Sequence, residues 1–414
     1  MGYLNDRAVV VTGMGATTPI GNNVTDFWAN LRAGVSGVRA LGEAFAPYGL
    51  PVTFAASAAV EPTEMLERVE ARKLDRSEQF ALIASREAWQ HAGTPDVDHD
   101  RLAVFVSSGI GGIHALLESY DTLHERGWNR INPNSVPMLM PNGPSAVVGL
   151  EFGARGGVHA PVSACASGAE ALAWAAMLIR LGKIDIAIAG GCEAAIHPSP
   201  MANFAAMRAL STRNDDPQGA SRPYDIDRDG FVMGEGSGVL VLESEEHAKG
   251  RGAKIHAYLV GNGMTSDAHH MAQPDPAGSG AARAMLQAVQ DAGIALTDIA
   301  HINAHATSTP AGDVAESVAI RSAFGDHADS IIVTATKSMT GHLLGGAGAI
   351  ESIACVLALA ERVVPATINV HNQDPAITID VATTERALPS GDVYALNNSF
   401  GFGGHDVALV FRSV

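Results

Sequence analysis

The sequence predicts an α/β protein built as two similar halves, and three observations carry that prediction. Short β-branched runs alternate with Ala-rich stretches of helical periodicity, the rhythm of βαβ units. The same order of elements returns in the second half of the chain. At 414 residues with 47% hydrophobic content, the chain is long and apolar enough for large buried cores.

In order, residues 8–12 form a buried strand, and 77–93, with Phe80, Leu82, Ile83, Ala84 and Trp89, form a helix that stops at Gly93. Residues 102–106 are the next strand, followed by Gly109-Ile110-Gly111-Gly112. Residues 159–164 lead through a sharp turn at Cys165 into a helix over 166–182, and 184–189 return to strand. The second half repeats this plan: 255–263 resemble the opening Val10-Val11-Thr12-Gly13-Met14-Gly15, and 301–304 take the place of 102–106. Residues 331–336 and a helix over 346–361 then match the strand, turn and helix around Cys165. Strands at 393–397 and 407–412 close the chain. The boundary falls near Lys249-Gly250-Arg251-Gly252, giving halves 1–250 and 251–414 that pack as one body.

Charge and cysteine content narrow the partners. With 27 Lys plus Arg against 44 Asp plus Glu the net charge is −17, which argues against a nucleic-acid binder. Cys165, Cys192 and Cys355 are odd in number and scattered, so no disulfide framework or Cys-rich zinc site is expected, and a reducing cytoplasm fits. The first residues lack the pattern of a signal peptide. The apolar stretches 169–182 and 346–360 carry Glu170, Arg180 and Glu351 and fall short of a bilayer span.

Four segments could carry chemistry. Cys165, in Ser163-Ala164-Cys165-Ala166-Ser167-Gly168, sits where a helix begins, and free N–H groups plus the helix dipole would lower its pKa and make it nucleophilic. Cysteine serves equally as a small buried apolar side chain, which is the expectation for Cys192 and Cys355. His301 and His305 have zinc-ligand spacing, but the segment reads as strand and loop, which leaves His305, where the strand runs out, as the reactive candidate and no metal site. Lys337 and His342 lie in a glycine-rich turn before a helix; the lysine precedes the glycines, so the phosphate-loop order fails. Asn398-Ser399-Phe400-Gly401-Phe402-Gly403-Gly404 is either a plain hairpin or a loop offering an oxyanion N–H with Phe402 as a lid. Gly13-Met14-Gly15 matches a dinucleotide-binding turn only in part.

Together the Cys165 segment, Asn303-Ala304-His305-Ala306-Thr307-Ser308-Thr309-Pro310, Lys337-Ser338-Met339-Thr340-Gly341-His342 and 398–404 resemble the β-ketoacyl-acyl-carrier-protein synthases, most closely the condensing enzymes of dissociated fatty-acid synthesis. The resemblance spans essentially the whole chain, including Arg222-Pro223-Tyr224-Asp225 and Asp229-Gly230-Phe231-Val232. It implies a thiolase-like fold, a duplicated αβαβα five-layered sandwich, in a homodimer without cofactor or metal. It further implies that Cys165 takes an acyl group from acyl carrier protein, that His305 and His342 promote decarboxylation of the malonyl-loaded carrier, and that Lys337 orders the site through Glu351. The N–H groups of Cys165 and Phe402 would form the oxyanion hole, Phe402 with Phe400 the gate, and Thr307, Thr309 and Asp313 site support. Ile110 and Phe204 would line the acyl pocket. A condensing enzyme of a polyketide pathway shares these motifs and is the alternative. Ala306 stands where the family commonly has glycine, and His405-Asp406 where Thr-Asn is frequent.

An acidic enzyme needs a local cationic patch to receive an acidic carrier protein. Arg68, Arg72 and Arg76 recur every four residues beside Lys73 and, if helical, form one basic stripe that Arg126, Arg130 and Arg208 extend. The competing expectation is an ordinary solvated face paired with Glu67 and Glu70.

Overall fold

The computed structural model describes residues 7–414. Ten strands carry the architecture: β1 (Val9–Thr17), β2 (Leu102–Ser107), β3 (Val158–His159), β4 (Ile186–Glu193), β5 (Gly236–Ser244), β6 (Ala257–Ser266), β7 (Ile299–Asn303), β8 (Ile332–Thr334), β9 (Tyr394–Gly401) and β10 (His405–Arg412). Their spatial order is β8-β7-β9-β10-β6-β1-β5-β4-β2-β3. Numbered within each group of five, the order is 3-2-4-5-1 on both sides of the junction. The groups meet along β1 and β6, paired antiparallel through only Val10–Tyr258 and Val11–Ala257.

Six helices complete the layers: α1 (Arg76–His91), α2 (Gly143–Phe152), α3 (Ser167–Arg180), α4 (Ser279–Ala292), α5 (Pro310–Phe324) and α6 (Ala347–Glu361). Helices α3 and α6 pack on each other between the two groups of strands, while α1 with α2 and α4 with α5 cover the outer faces. The result is the thiolase-like αβαβα sandwich. Its largest core surrounds α3 and α6, with Leu172, Ile179, Ile350 and Ile353 almost wholly buried. The segment Leu344–Glu361 is in fact long and apolar enough for a bilayer span, but 83% of it is buried inside the fold, where apolar sheets surround it.

Glycines allow these layers to approach. A Cβ at Gly13 or Gly15 would lie 2.2 or 1.9 Å from the carbonyl oxygens of Ala88 or Ala84 in α1. At Gly261 and Gly263 the same contacts fall at 2.1 and 2.0 Å, against Ala288 and Ala284 of α4. The Gly13-Met14-Gly15 run is therefore strand, not a nucleotide-binding turn, and β1 continues to Thr17 rather than ending at 12. Pro161, by contrast, cannot donate to a ladder, and β3 is confined to Val158–His159.

Candidate active site

Helices α3 and α6 each begin with one 3₁₀ turn, Ala164–Ala166 and Leu344–Gly346. The first residue of each turn is left-handed although it is not glycine, with φ of 51° at Ala164 and 46° at Leu344. Position for position, Gly345 is the counterpart of Cys165. Such strain persists where surrounding structure enforces it. The two turns lie against each other: Gly168, in the first turn of α3, would bring a Cβ within 2.7 Å of the Gly345 carbonyl oxygen.

A cavity of about 540 Å³ opens over this junction, lined by Cys165, His305, His342, Ile110, Phe204, Phe400 and Phe402. The His305 and His342 rings meet edge-on, 5.3 Å between centroids, and Phe400 lies 5.5 Å from His305. Burial, reinforced by the Lys337 charge, holds both imidazoles well below 6.5, so they are neutral, and Nδ1 of each has no hydrogen-bond partner. Burial pushes the Cys165 thiol up to about 12, while Lys337 and the backbone N–H groups of Phe402 and Cys165 pull it the other way. The lowered pKa expected from the helix terminus is thus overridden by desolvation, and the resting side chain is a thiol.

Lys337 and Glu351 form a fully buried ion pair beneath the histidines. Burial raises the Glu351 carboxyl to about 7 against the pull of Lys337. The His305 loop is held from behind: the His305 and Ala306 N–H groups donate to Glu316 at 2.9 and 2.7 Å, and Asn398 donates to the same carboxylate at 3.0 Å. Asp313 accepts from the Ser308 and Tyr224 N–H groups at 3.1 and 2.9 Å, and Thr309 caps α5 by accepting from Gly312. Thr307 and Thr309 hydroxyls lie 3.1 Å apart. Ala306 has φ of 24°, in the region that favours glycine, which explains the glycine common at this point in the family.

Gly401 brings the end of β9 onto the Cys165 turn. A Cβ there would stand 2.2 Å from the Ser163 carbonyl oxygen, so only glycine lets the strand end touch the Cys165 turn and aim the next N–H, that of Phe402, at the sulfur. Phe402 is 38% exposed, with its ring 6.4 Å from Phe204. The segment is a hairpin, with β9 and β10 flanking a turn of three residues that contains Phe402.

Two buried carboxylates lining the cavity escaped the sequence reading, Glu193 at the end of β4 and Glu316 in α5. Glu193 is a charge in an otherwise apolar run, and that anomaly was the available signal. The basic stripe needs correction. The helix from Arg68 lasts only to Ala71, and α1 restarts at Arg76 behind its Asp75 cap. Arg76 turns inward to Glu61 and Glu235, both at 2.6 Å, and Glu70 pairs with Arg86. Arg68, Arg72, Lys73, Arg126, Arg130 and Arg208 are exposed, and form no ion pair among the described residues. His301 is structural, its Nδ1–H donating to the Ile332 carbonyl at 2.8 Å.

This geometry defines a buried thiol–histidine site in a thiolase-like sandwich. Residues 6–248 match the Beta-ketoacyl synthase, N-terminal domain, and residues 256–371 the C-terminal domain of the same family. The chain therefore belongs to the beta-ketoacyl synthase family. It is 47% identical over 405 residues to 3-oxoacyl-[acyl-carrier-protein] synthase 2 of Mycobacterium tuberculosis, covering 97% of this chain and 96% of that protein. The Synechocystis protein of the same name is 45% identical over 415 residues, covering 100% and 99%. A Burkholderia phymatum beta-ketoacyl synthase superposes with a TM-score of 0.89 at 35% identity, covering 99% and 100%. A ketosynthase structure described as a type II PKS acyl-carrier protein in complex with its ketosynthase gives 0.89 at 34% identity, with the same coverage.

Proposed function

We propose that Cys165, His305, His342 and Lys337 carry out decarboxylative condensation of an acyl group with malonyl-acyl-carrier protein in fatty-acid elongation. The chain is a condensing acyltransferase. The observation that carries the residue assignment is the convergence of a thiol, two neutral imidazoles and the Phe402 N–H on one buried cavity. Cys165 attacks the carrier thioester, the acyl group moves to sulfur, and the thiol proton ends on the departing carrier thiol. The tetrahedral oxyanion forms opposite the N–H groups of Cys165 and Phe402. Malonyl-carrier protein then loses CO₂. Neutral His305 and His342 donate hydrogen bonds to the enolate oxygen, where charge develops, and the enolate carbon attacks the acyl-Cys165 carbonyl. The Cys165 thiolate that leaves takes up a proton, and the β-ketoacyl product remains on its carrier, two carbons longer.

Lys337 with Glu351, and Thr307, Thr309 and Asp313 around the His305 loop, order the site; Ile110 and Phe204 line the acyl pocket. Arg68, Arg72, Lys73, Arg126, Arg130 and Arg208 receive the acidic carrier. The halves divide at 250/251, supported by the repeated strand order and by the match of Cys165 to Gly345. A cytoplasmic homodimer completes the reading. Three free cysteines support the compartment. The exposed apolar Leu150, Val158 and Val162 around the β3 edge support the dimer. The test is mass spectrometry after incubation with acyl-carrier protein: an acyl adduct on Cys165 is expected, and its absence refutes the assignment. Unreduced poly-β-keto products would favour the polyketide alternative.

A further inference from the structure

Glu193 is fully buried at the end of β4, lines the cavity, and forms no ion pair among the described residues. Its two oxygens instead accept four hydrogen bonds. Ser108 Oγ and the Ile110 N–H reach Oε1 at 2.7 and 3.4 Å; the Gly109 and Gly345 N–H groups reach Oε2 at 2.9 and 3.1 Å. These donors come from separate segments, the turn after β2 that carries Ile110 and the turn before α6 that follows His342 by three residues. The packing leaves no slack: a Cβ on Gly109 would lie 2.9 Å from Glu193 Oε2 and 3.1 Å from the Ala164 carbonyl, and one on Gly345 2.4 Å from the Gly109 nitrogen. An uncompensated buried carboxylate is costly, and only its donor set justifies it. Burial pushes the group up to about 7 while those donors pull it down, and its charge in turn raises Cys165 and Cys192.

We propose that Glu193 is a positioning residue that clamps the Gly109–Ile110 wall of the cavity to the Gly345 turn, and so decides how well long acyl chains reach Cys165. This rests on the reading of the cavity as the acyl pocket. The Ile110 N–H is shared by Glu193 and by Ser108 Oγ at 3.3 Å, and Ser108 itself donates to Glu193, so both holds on Ile110 depend on the carboxylate. On that reading a dodecanoyl chain packs along this wall, and an acetyl group is too short to depend on it.

The discriminating variant is Glu193→Gln, which keeps the volume but cannot accept at both terminal atoms. Acylation of Cys165 by dodecanoyl- and acetyl-carrier protein is followed by mass spectrometry. The dodecanoyl/acetyl rate ratio should fall about tenfold, the equivalent of one lost hydrogen bond. A ratio equal to wild type, whether both rates drop together or neither changes, overturns the proposal. If the variant fails to fold, Ser108→Ala decides, since it removes one donor and leaves Gly109 and Gly345 bound. It should lower the same ratio severalfold, and an unchanged ratio refutes the clamp. Absence of any adduct in wild type would instead refute the acyl-enzyme reading itself.

Discussion

Gly401→Ala tests how the oxyanion hole is built. The new methyl would meet the Ser163 carbonyl oxygen at 2.2 Å, and Cβ contacts under 3.0 Å do not survive, so the gate strand and the nucleophile turn must part by at least 0.8 Å. A hydrogen bond from Phe402 of about 2.9 Å would stretch to about 3.7 Å, beyond useful range. Losing one oxyanion donor costs about 10²–10³ in kcat, or about 2.7–4 kcal/mol. The assay compares transfer of an acyl group from its carrier to Cys165 with alkylation by iodoacetamide, which makes no oxyanion. Acyl transfer should fall by that factor while alkylation changes little. Acyl transfer within threefold of wild type would refute the reasoning, because Phe402 would then not be the donor. Parallel loss of both rates would assign the effect to misplacement of the thiol.

Lys337→Met leaves Glu351 buried without its cation and should cost about 3–5 kcal/mol in urea unfolding. Adding Glu351→Gln should restore most of it, and no restoration would mean that the pair is not the cause. Reversing Arg68 and Arg72 to Glu should slow carrier association about tenfold at low salt and flatten its salt dependence. Arg76→Ala should leave that slope intact and reduce stability instead, because it strips buried Glu235 of its partner; equal effects on carrier binding would put the patch elsewhere. Asp406 is raised to about 8 by burial and by the neighbouring Asp267 carboxyl, against about 3.9 in an unfolded chain. The folded state keeps a proton that the unfolded chain has released. The resulting stability is full below about pH 4 and disappears as pH rises through about 8, at up to about 1.4 kcal/mol per unit. Asp406→Asn should flatten the unfolding midpoint between pH 5 and 8; an identical slope would refute the raised Asp406 carboxyl as its source.

The candidate segments were legible because each packs unusual residue types into a short run: Cys165 among small residues, His305 before Thr307 and Thr309, Phe402 among glycines. The strand and helix rhythm was legible for the same local reason, and the helix placed at 346–361 is observed at Ala347–Glu361. Arg76 shows where local pattern fails. Four-residue spacing implied a shared face, yet the chain breaks after Ala71 and Asp75 recaps it, turning Arg76 toward Glu235, distant in sequence. Gly13-Met14-Gly15 fails in the opposite sense, because a pattern that suggests a turn is strand once α1 lies on it.

The sequence by itself determined the element order and singled out the candidate side chains, since these depend on periodicity and on residue types a few positions apart. Only the tertiary structure decided that Gly345 sits against the nucleophile turn, that Glu193 and Glu316 hold the Ile110 wall and the His305 loop, and that Cys165 rests as a thiol. Those facts depend on burial and on contacts between segments far apart in the chain. Desolvation and close packing arise only once the two groups of strands enclose α3 and α6, and no local pattern records them.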